Sequence, residues 1–301
     1  MSDVIVPLDV PKAMRKTYIN NYELVTRGSG RLMLFAGDQK MEHLNDDFCG
    51  ENIPADDADP EHLFRIASKG KVGVLAVQLG LLSRYAMDYP EISYLVKMNS
   101  KTHLVGVSQK DPTSRQLWTV SQIAAVAKEH NIKIPAIGYT IYLGSENEAE
   151  MLTEAAQLIN DAHAHGMVTV LWIYPRGKAV KDEKDPHLIA GAAGCAACLG
   201  SDFVKVNAPK KDGVSDAALL QEAVKAAGRT KLVCAGGSAT SEEKFIEELY
   251  NQIHTGGASG NATGRNIHQK SLEEAVKFCN AIYAVTVENK GLDEAKSILR
   301  G

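Results

Sequence analysis

A chain of 301 residues, 45% hydrophobic and 23% charged, can bury one large core, and its length falls within the range of a single α/β barrel. A net charge of -4 excludes whole-molecule attraction to nucleic acid or to an anionic membrane, and no apolar run is long enough to span a bilayer. Any recognition of an anion must therefore be local.

Residues 1 to 30 are mixed polar and basic, with no basic n-region followed by an apolar h-region, and are expected to be an N-terminal extension to a barrel of residues 31–301. The turn Arg27–Arg31 precedes a first strand, Arg31–Gly37, that ends at Asp38. An acidic stretch through Asp46, Asp47, Glu51, Asp56, Asp57 and Asp59 follows; its spacing is not that of an EF-hand, so a solvated loop is expected before a helix at His62–Ser68. The second strand is read at Val72–Gln78, followed by a helical stretch broken at Pro90. The third strand is placed at Thr102–Val107, with a helix at Val120–His130. Next come a strand at Ile134–Ile141, a helix at Glu146–His165, and the most β-rich run in the chain, Val168–Tyr174. A helix at Leu188–Leu199 leads to the sixth strand around Lys205, then a helix at Asp216–Ala227. The seventh strand, Lys231–Ala235, ends in Gly236 and Gly237 and precedes a helix at Ser241–Thr255. The eighth, Ala258–Gly264, precedes Arg265 and one long closing helix from Ser271.

Eight strand-then-helix units predict a closed (β/α)8 barrel, the TIM barrel, in one domain. The open doubly wound sheet is the competing reading, but no G-x-G-x-x-G follows the first strand. The odd cysteine count points to a reducing cytoplasm, with Cys195, Cys198, Cys234 and Cys279 expected as small buried thiols. Cys195 and Cys198 form a C-x-x-C without a second ligand pair, and the small residues around them suit a helix packed close to a sheet. The histidines show no metal-ligand set at strand ends; His163 and His165 are expected to meet a helix dipole.

Active sites of such barrels lie at the C-terminal ends of the strands. Those ends present Asp38 on the first strand, Trp172 and Tyr174 on the fifth, Lys205 on the sixth, Gly236 and Gly237 on the seventh, and Gly264 and Arg265 on the eighth. Lys205 interrupts an interior strand. Burial disfavours its ammonium and makes the neutral amine available to attack a carbonyl carbon; the alternative is an edge lysine whose head reaches water. Strand alternation puts Trp172 and Tyr174 on one face, as core filling or as a wall with a proton-moving phenol, for which a nearby protonated imine would favour a lowered pKa. Glycines after the last two strands allow backbone N–H groups to approach a phosphate, with Arg265 offering a bidentate contact. Lys40 is either a second phosphate contact or a surface lysine.

Asp38, the run Trp172-x-Tyr174-Pro175-Arg176-Gly177, Val204-Lys205-Val206, the Gly236-Gly237 turn and Gly264-Arg265-Asn266-Ile267 together resemble the archaeal-type class I fructose-bisphosphate aldolases, within the DhnA/DeoC-like Schiff-base aldolases. The resemblance runs from about Leu32 to Gln269. It implies that Lys205 is the Schiff-base lysine, Tyr174 the general acid/base, Asp38 a polar group at the imine and the substrate hydroxyls, and Trp172 a substrate-contacting wall. It also implies a phosphorylated sugar substrate, no cofactor or metal, and a homo-oligomer, with a decameric ring as one form. The chain departs from the common family pattern at Gln39-Lys40, where relatives carry His-Gly, and at Ser238, where they carry Pro; both bear on which sugar phosphate is bound. The expected reaction is reversible cleavage of fructose 1,6-bisphosphate to dihydroxyacetone phosphate and glyceraldehyde 3-phosphate in glycolysis or gluconeogenesis. The alternatives are a Schiff-base carbon–carbon transferase, such as an aminodideoxyheptulosonate synthase or a thiolase-like enzyme, and a non-catalytic sugar-phosphate-binding barrel.

Overall fold

The structure, a computed structural model, describes residues 4–237 and 240–301, so Ser238 lies outside the described residues. Eight parallel strands close into a barrel: β1 (Leu32–Ala36), β2 (Val74–Val77), β3 (Tyr94–Lys97), β4 (Ala136–Leu143), β5 (Val168–Pro175), β6 (Phe203–Val206), β7 (Lys231–Ala235) and β8 (Gly260–Thr263). Neighbours around the barrel follow chain order, and β8 closes on β1 with Gly260 opposite Leu32. The long helices are α1 (Arg15–Thr26), α2 (Glu61–Lys69), α3 (Leu79–Tyr85), α4 (Val120–His130), α5 (Glu148–Ala164), α6 (Pro186–Leu199), α7 (Leu220–Ala227), α8 (Glu242–His254), α9 (Leu272–Thr286) and α10 (Leu292–Arg300). This is the (β/α)8 barrel expected, with α2 to α9 each following one strand.

Local chemistry sets the boundaries. Thr119 and Gln122 form a reciprocal capping box on α4, as do Ser271 and Glu274 on α9. Asp185 accepts from Leu188 N at the start of α6, Pro186 takes the first helical position, and Gly200 ends the helix in the left-handed conformation at φ 86°.

Two boundaries differ from expectation. Thr102–Val107 is not the third strand: Leu104 and Val105 are 69% and 52% exposed on a surface loop. The strand is instead Tyr94–Lys97, reached through a turn at Asp88–Pro90 inside what reads as a broken helix, and its side chains are buried. A β-branched run becomes a barrel strand only where helices and barrel interior cover it, and that coverage is set by the whole chain. The closing helix is two helices, because Asn289 adopts φ 55° and Gly291 starts α10.

The N-terminal segment packs at the bottom of the barrel, where the strands begin. Asp202, just before β6, accepts hydrogen bonds from Tyr18 Oη and from Thr169 N (2.7 Å) and Oγ1 (3.0 Å), and it pairs with His163 Nε2 (3.2 Å). The other nitrogen of His163 meets Asp9 at 2.7 Å, and the Tyr22 ring stacks on Phe203. His163 is thus a fully buried link between two carboxylates rather than a helix-dipole residue; His165 is the one that bonds a helix carbonyl, Asp161 O, at 2.8 Å. Burial alone would push His163 down, but hydrogen bonds and charge from Asp202 and then Asp9 outweigh it and raise its pKa to about 8.

Two other expectations change with burial. The acidic stretch is not all solvated, since Asp57 is fully buried against His268 Nδ1 (2.7 Å), whose ring stacks on Phe48. Cys234 and Cys279 are buried, Cys195 is half-buried, and Cys198 and Cys49 are exposed.

Candidate active site

Lys205 lies in the core register of the barrel, opposite Trp172 on β5 and Val233 on β7. It is only 7% exposed. Among the described residues its amine has no hydrogen-bond or ion-pair partner; it stands 5.2 Å from the centre of the Trp172 ring. Burial pushes its pKa down, Asp38 and Glu42 oppose that, and Lys97 and Arg265 push it further down. The outcome is an amine depressed below the ordinary lysine range, inside a cavity.

That cavity, about 140 Å³, is lined by Asp38, Trp172, Tyr174, Lys205, Gly236, Gly237, Gly264 and Arg265, all eight of the residues singled out from the sequence. They come from five strand ends and the loops just beyond, at the C-terminal mouth of the barrel. Asp38 is 3% exposed, and among the described residues its buried Oδ1 has no hydrogen-bond partner. Gln78 Nε2 holds its backbone carbonyl at 2.9 Å. Tyr174 is buried, and burial followed by the charges of Glu42 and Asp38 pushes its phenol well above the ordinary value, with Arg176 opposing. The lowered phenol pKa considered from the sequence is therefore not a property of the free site; the hydroxyl is held protonated.

Arg265 is positioned by its own neighbourhood. Its Nη2 donates to Gly237 O at 3.4 Å, and its Nε lies 3.6 Å from Asp47 Oδ2. Gly237, at φ 69°, supplies the left-handed turn after β7 that a side chain would strain. Asn266, the third residue of the Gly-Arg-Asn-Ile motif, fastens this turn by donating to Gly236 O (3.1 Å) and accepting from Thr240 N (3.0 Å). Lys40 lies outside the cavity: its ammonium stands 4.2 Å over the Phe48 ring and reaches Ala58 O at 3.2 Å, which removes it as a second phosphate contact in this arrangement.

The sequence reading passed over several residues of the site. Glu42, His43, Arg176 and Asn207 also line the cavity. Tyr142 donates to Glu42 at 3.2 Å, and His43 Nδ1 pairs with Asp47 at 2.6 Å, which raises the His43 pKa. Arg176 is paired with Glu183 through three 2.8–3.0 Å contacts and lies over the rings of Tyr142 and Tyr174. Behind the wall stands a second buried lysine, Lys97 at the end of β3, with Nζ 3.6 Å from Asp38 Oδ2. The signal for it, a lysine at the end of the apolar run Tyr94–Lys97, was hidden by the misplacement of the third strand.

A buried amine with a depressed pKa at the mouth of a parallel barrel, beside a carboxylate and a phenol, defines a class: barrels equipped to form an imine with a carbonyl substrate. The chain matches the DeoC/LacD family aldolase profile over residues 32–270, and it belongs to that family of carbon–carbon lyases. It is 58% identical over 299 residues to a Methanocaldococcus jannaschii protein named fructose-bisphosphate aldolase/6-deoxy-5-ketofructose 1-phosphate synthase, with 99% of this chain and 95% of the relative covered. A solved fructose-bisphosphate aldolase from Slackia heliotrinireducens superposes with a TM-score of 0.97 at 56% identity, covering 99% of this chain and 94% of that one. An archaeal fructose-1,6-bisphosphate aldolase solved with its catalytic lysine bound to the carbinolamine intermediate superposes with a TM-score of 0.76 at 30% identity, covering 90% of this chain and 99% of that one.

Proposed function

We infer that this chain is a class I, Schiff-base fructose-bisphosphate aldolase that cleaves fructose 1,6-bisphosphate reversibly to dihydroxyacetone phosphate and glyceraldehyde 3-phosphate. The observation that carries the reading is Lys205, a buried amine without a partner among the described residues, facing a cavity it shares with Asp38 and Tyr174. Its lone pair attacks the C2 ketone to give a carbinolamine, and loss of water leaves a protonated imine. When the C3–C4 bond breaks, its electron pair moves into the iminium to form an enamine. The C4 hydroxyl gives up its proton and leaves as the aldehyde. Protonation of the enamine at C3 and addition of water at C2 then release dihydroxyacetone phosphate and restore the amine.

In this reading Tyr174 moves the protons, beginning as the acid because its phenol is held protonated. Once the iminium forms, its positive charge favours the phenolate, so the same group accepts a proton in the cleavage step. Asp38 meets the imine and the substrate hydroxyls, and Trp172 walls the site. The backbone at Gly236, Gly237 and Gly264 with Arg265 receives a phosphate. Action in the cytoplasm on a glycolytic or gluconeogenic sugar phosphate, and assembly into a homo-oligomer such as a decameric ring, are parts of the same proposal. The test is borohydride trapping with dihydroxyacetone phosphate followed by peptide mass mapping, with turnover measured in EDTA. An adduct on Lys205 and unchanged turnover are expected; loss of turnover restored by zinc would sink the class I assignment.

A second reading is transfer of the dihydroxyacetone phosphate unit to an aldehyde that carries no phosphate. It is favoured by the distal wall, where Lys40 is turned away, Arg176 is already paired with Glu183, and Glu42 adds a negative charge. Product analysis with phosphorylated and unphosphorylated aldehyde acceptors separates the two.

A further inference from the structure

The two buried lysines are in different states of partnership. Lys205 has no partner among the described residues, whereas Lys97, 2% exposed, lies against Asp38 Oδ2 at 3.6 Å and donates to Asn99 O at 3.3 Å. Asn99 is itself fixed to β4 by bonds to both Thr140 N (2.7 Å) and Thr140 O (2.9 Å), so the Lys97 amine is held from behind. Both amines stand near Trp172, whose ring centre is 5.0 Å from Lys97 Nζ and 5.2 Å from Lys205 Nζ. The ring is seated in space that Gly138 leaves open: a Cβ there would stand 2.3 Å from Trp172 Cζ3. The ring is thus set by packing, and the Lys97 amine by its bond to Asn99 O.

A buried carboxylate beside a buried amine ordinarily takes a proton onto that amine, because two opposite charges in a poorly solvated site attract strongly. For a nucleophile this is the wrong outcome, since only the neutral amine attacks. Of the carboxylates around Lys205, Asp38 favours its protonated form most. We propose that Lys97 is a positioning residue for the reaction, holding the Asp38 carboxylate by ion pairing so that Asp38 does not keep Lys205 protonated. This rests on Lys205 being the nucleophile, as proposed above. The groups facing Lys205 are Asp38 after β1, Glu42 and His43 beyond it, Lys97 on β3, Tyr174 and Arg176 from β5 and its end, and Arg265 after β8. Lys97 and Arg265 push the Lys205 pKa down, Asp38 and Glu42 push it up, and Lys97 faces the stronger of the two carboxylates.

The experiment compares wild type, Lys97→Met, Lys97→Arg and Lys97→Met/Asp38→Asn for the acidic limb of the pH profile of imine formation. Imine formation is read as the initial rate of borohydride trapping with dihydroxyacetone phosphate. Methionine matches the length of the lysine stem without its charge. In Lys97→Met the limb is expected to move up by about one pH unit, roughly a tenfold loss of trapping rate near neutrality that is recovered at high pH. Lys97→Arg and the double variant should both return the limb toward the wild-type position, the first by restoring the cation and the second by removing the carboxylate. A loss equal at every pH, or no loss at all, overturns the proposal. If Lys97→Met does not fold by circular dichroism, Lys97→Gln, which keeps a polar head near Asn99 O but no charge, decides: its limb should move to higher pH, and an unmoved limb overturns the proposal. Mapping the adduct keeps the two ideas apart. An adduct on Lys205 with an unmoved limb removes only the role of Lys97, whereas an adduct on Lys97 removes the nucleophile assignment as well.

Discussion

Strand β6 carries one buried charged group toward each end of the barrel, and the two are treated in opposite ways. At the bottom, just before the strand, Asp202 is surrounded by Tyr18, His163 and both donors of Thr169. At the top, Lys205 has no partner among the described residues and keeps its amine exposed to a cavity. A buried charge with every lone pair occupied holds structure together, because removing any partner leaves an uncompensated charge. A buried charge left without partners costs stability and is retained where its reactivity is used. The pair shows within a few residues of one strand how this barrel separates stability from chemistry, with the N-terminal segment recruited to the stable end.

The comparison predicts that damage at the two ends will be read by different instruments. The largest effect is expected at the top: Lys205→Ala should abolish both turnover and borohydride trapping while leaving the thermal transition in place or raising it. A Lys205→Ala protein that still traps substrate would overturn the assignment. Tyr174→Phe should come next, slowing carbon–carbon cleavage by about 10² to 10⁴-fold while imine still accumulates, as stopped-flow or quench trapping would show.

Asp202→Ala should do the reverse. It leaves His163 and Tyr18 facing an empty buried site, so about 3 to 5 kcal/mol of stability should be lost in a denaturant titration, with kcat/KM per folded molecule within about twofold of wild type. If activity per folded molecule falls as far as stability, the two ends are not separable. Arg265→Ala should raise KM for phosphorylated substrates by roughly 10- to 100-fold through loss of a charge-assisted contact, and affect an unphosphorylated analogue much less. Equal effects on both would assign Arg265 to holding the loops through Asp47 and Gly237.

The smallest effect concerns pH and the bottom network. His163 has a folded pKa raised from 6.5 to about 8, so it binds its proton more tightly folded than unfolded. Its stabilisation is therefore complete below about pH 6.5 and is lost as pH rises through about 8, a change of about 2 kcal/mol. Denaturant midpoints measured from pH 6 to pH 9 should fall accordingly, and the slope should flatten in Asp9→Asn, which removes one of the two carboxylates that raise the pKa.

The sequence alone determined the class of fold, because eight short apolar runs separated by helical periods have few other ways to bury their faces. It also pointed to Asp38, Trp172, Tyr174, Lys205 and the two glycine-ended strands, which strand period and position near a strand's end carry to the lining of one cavity. What it left undetermined shares one physical cause. Ser93–Lys97 and Thr102–Val107 both carry β-forming residues, and only the packing of α3, α4 and the long loop between them decides which is buried; Lys97 became visible as a site residue only with that decision. The same holds for His163, Asp57 and Lys40. A histidine near a helix end, an acid in a polar loop and a lysine beside a strand read alike whether solvated or buried, and their partners, Asp9 and Asp202, His268, and Phe48 with Ala58, stand up to about 200 residues away in the chain. Periodicity is a local property and can be read along the chain, whereas the satisfaction of a buried charge depends on which distant segments fold against it.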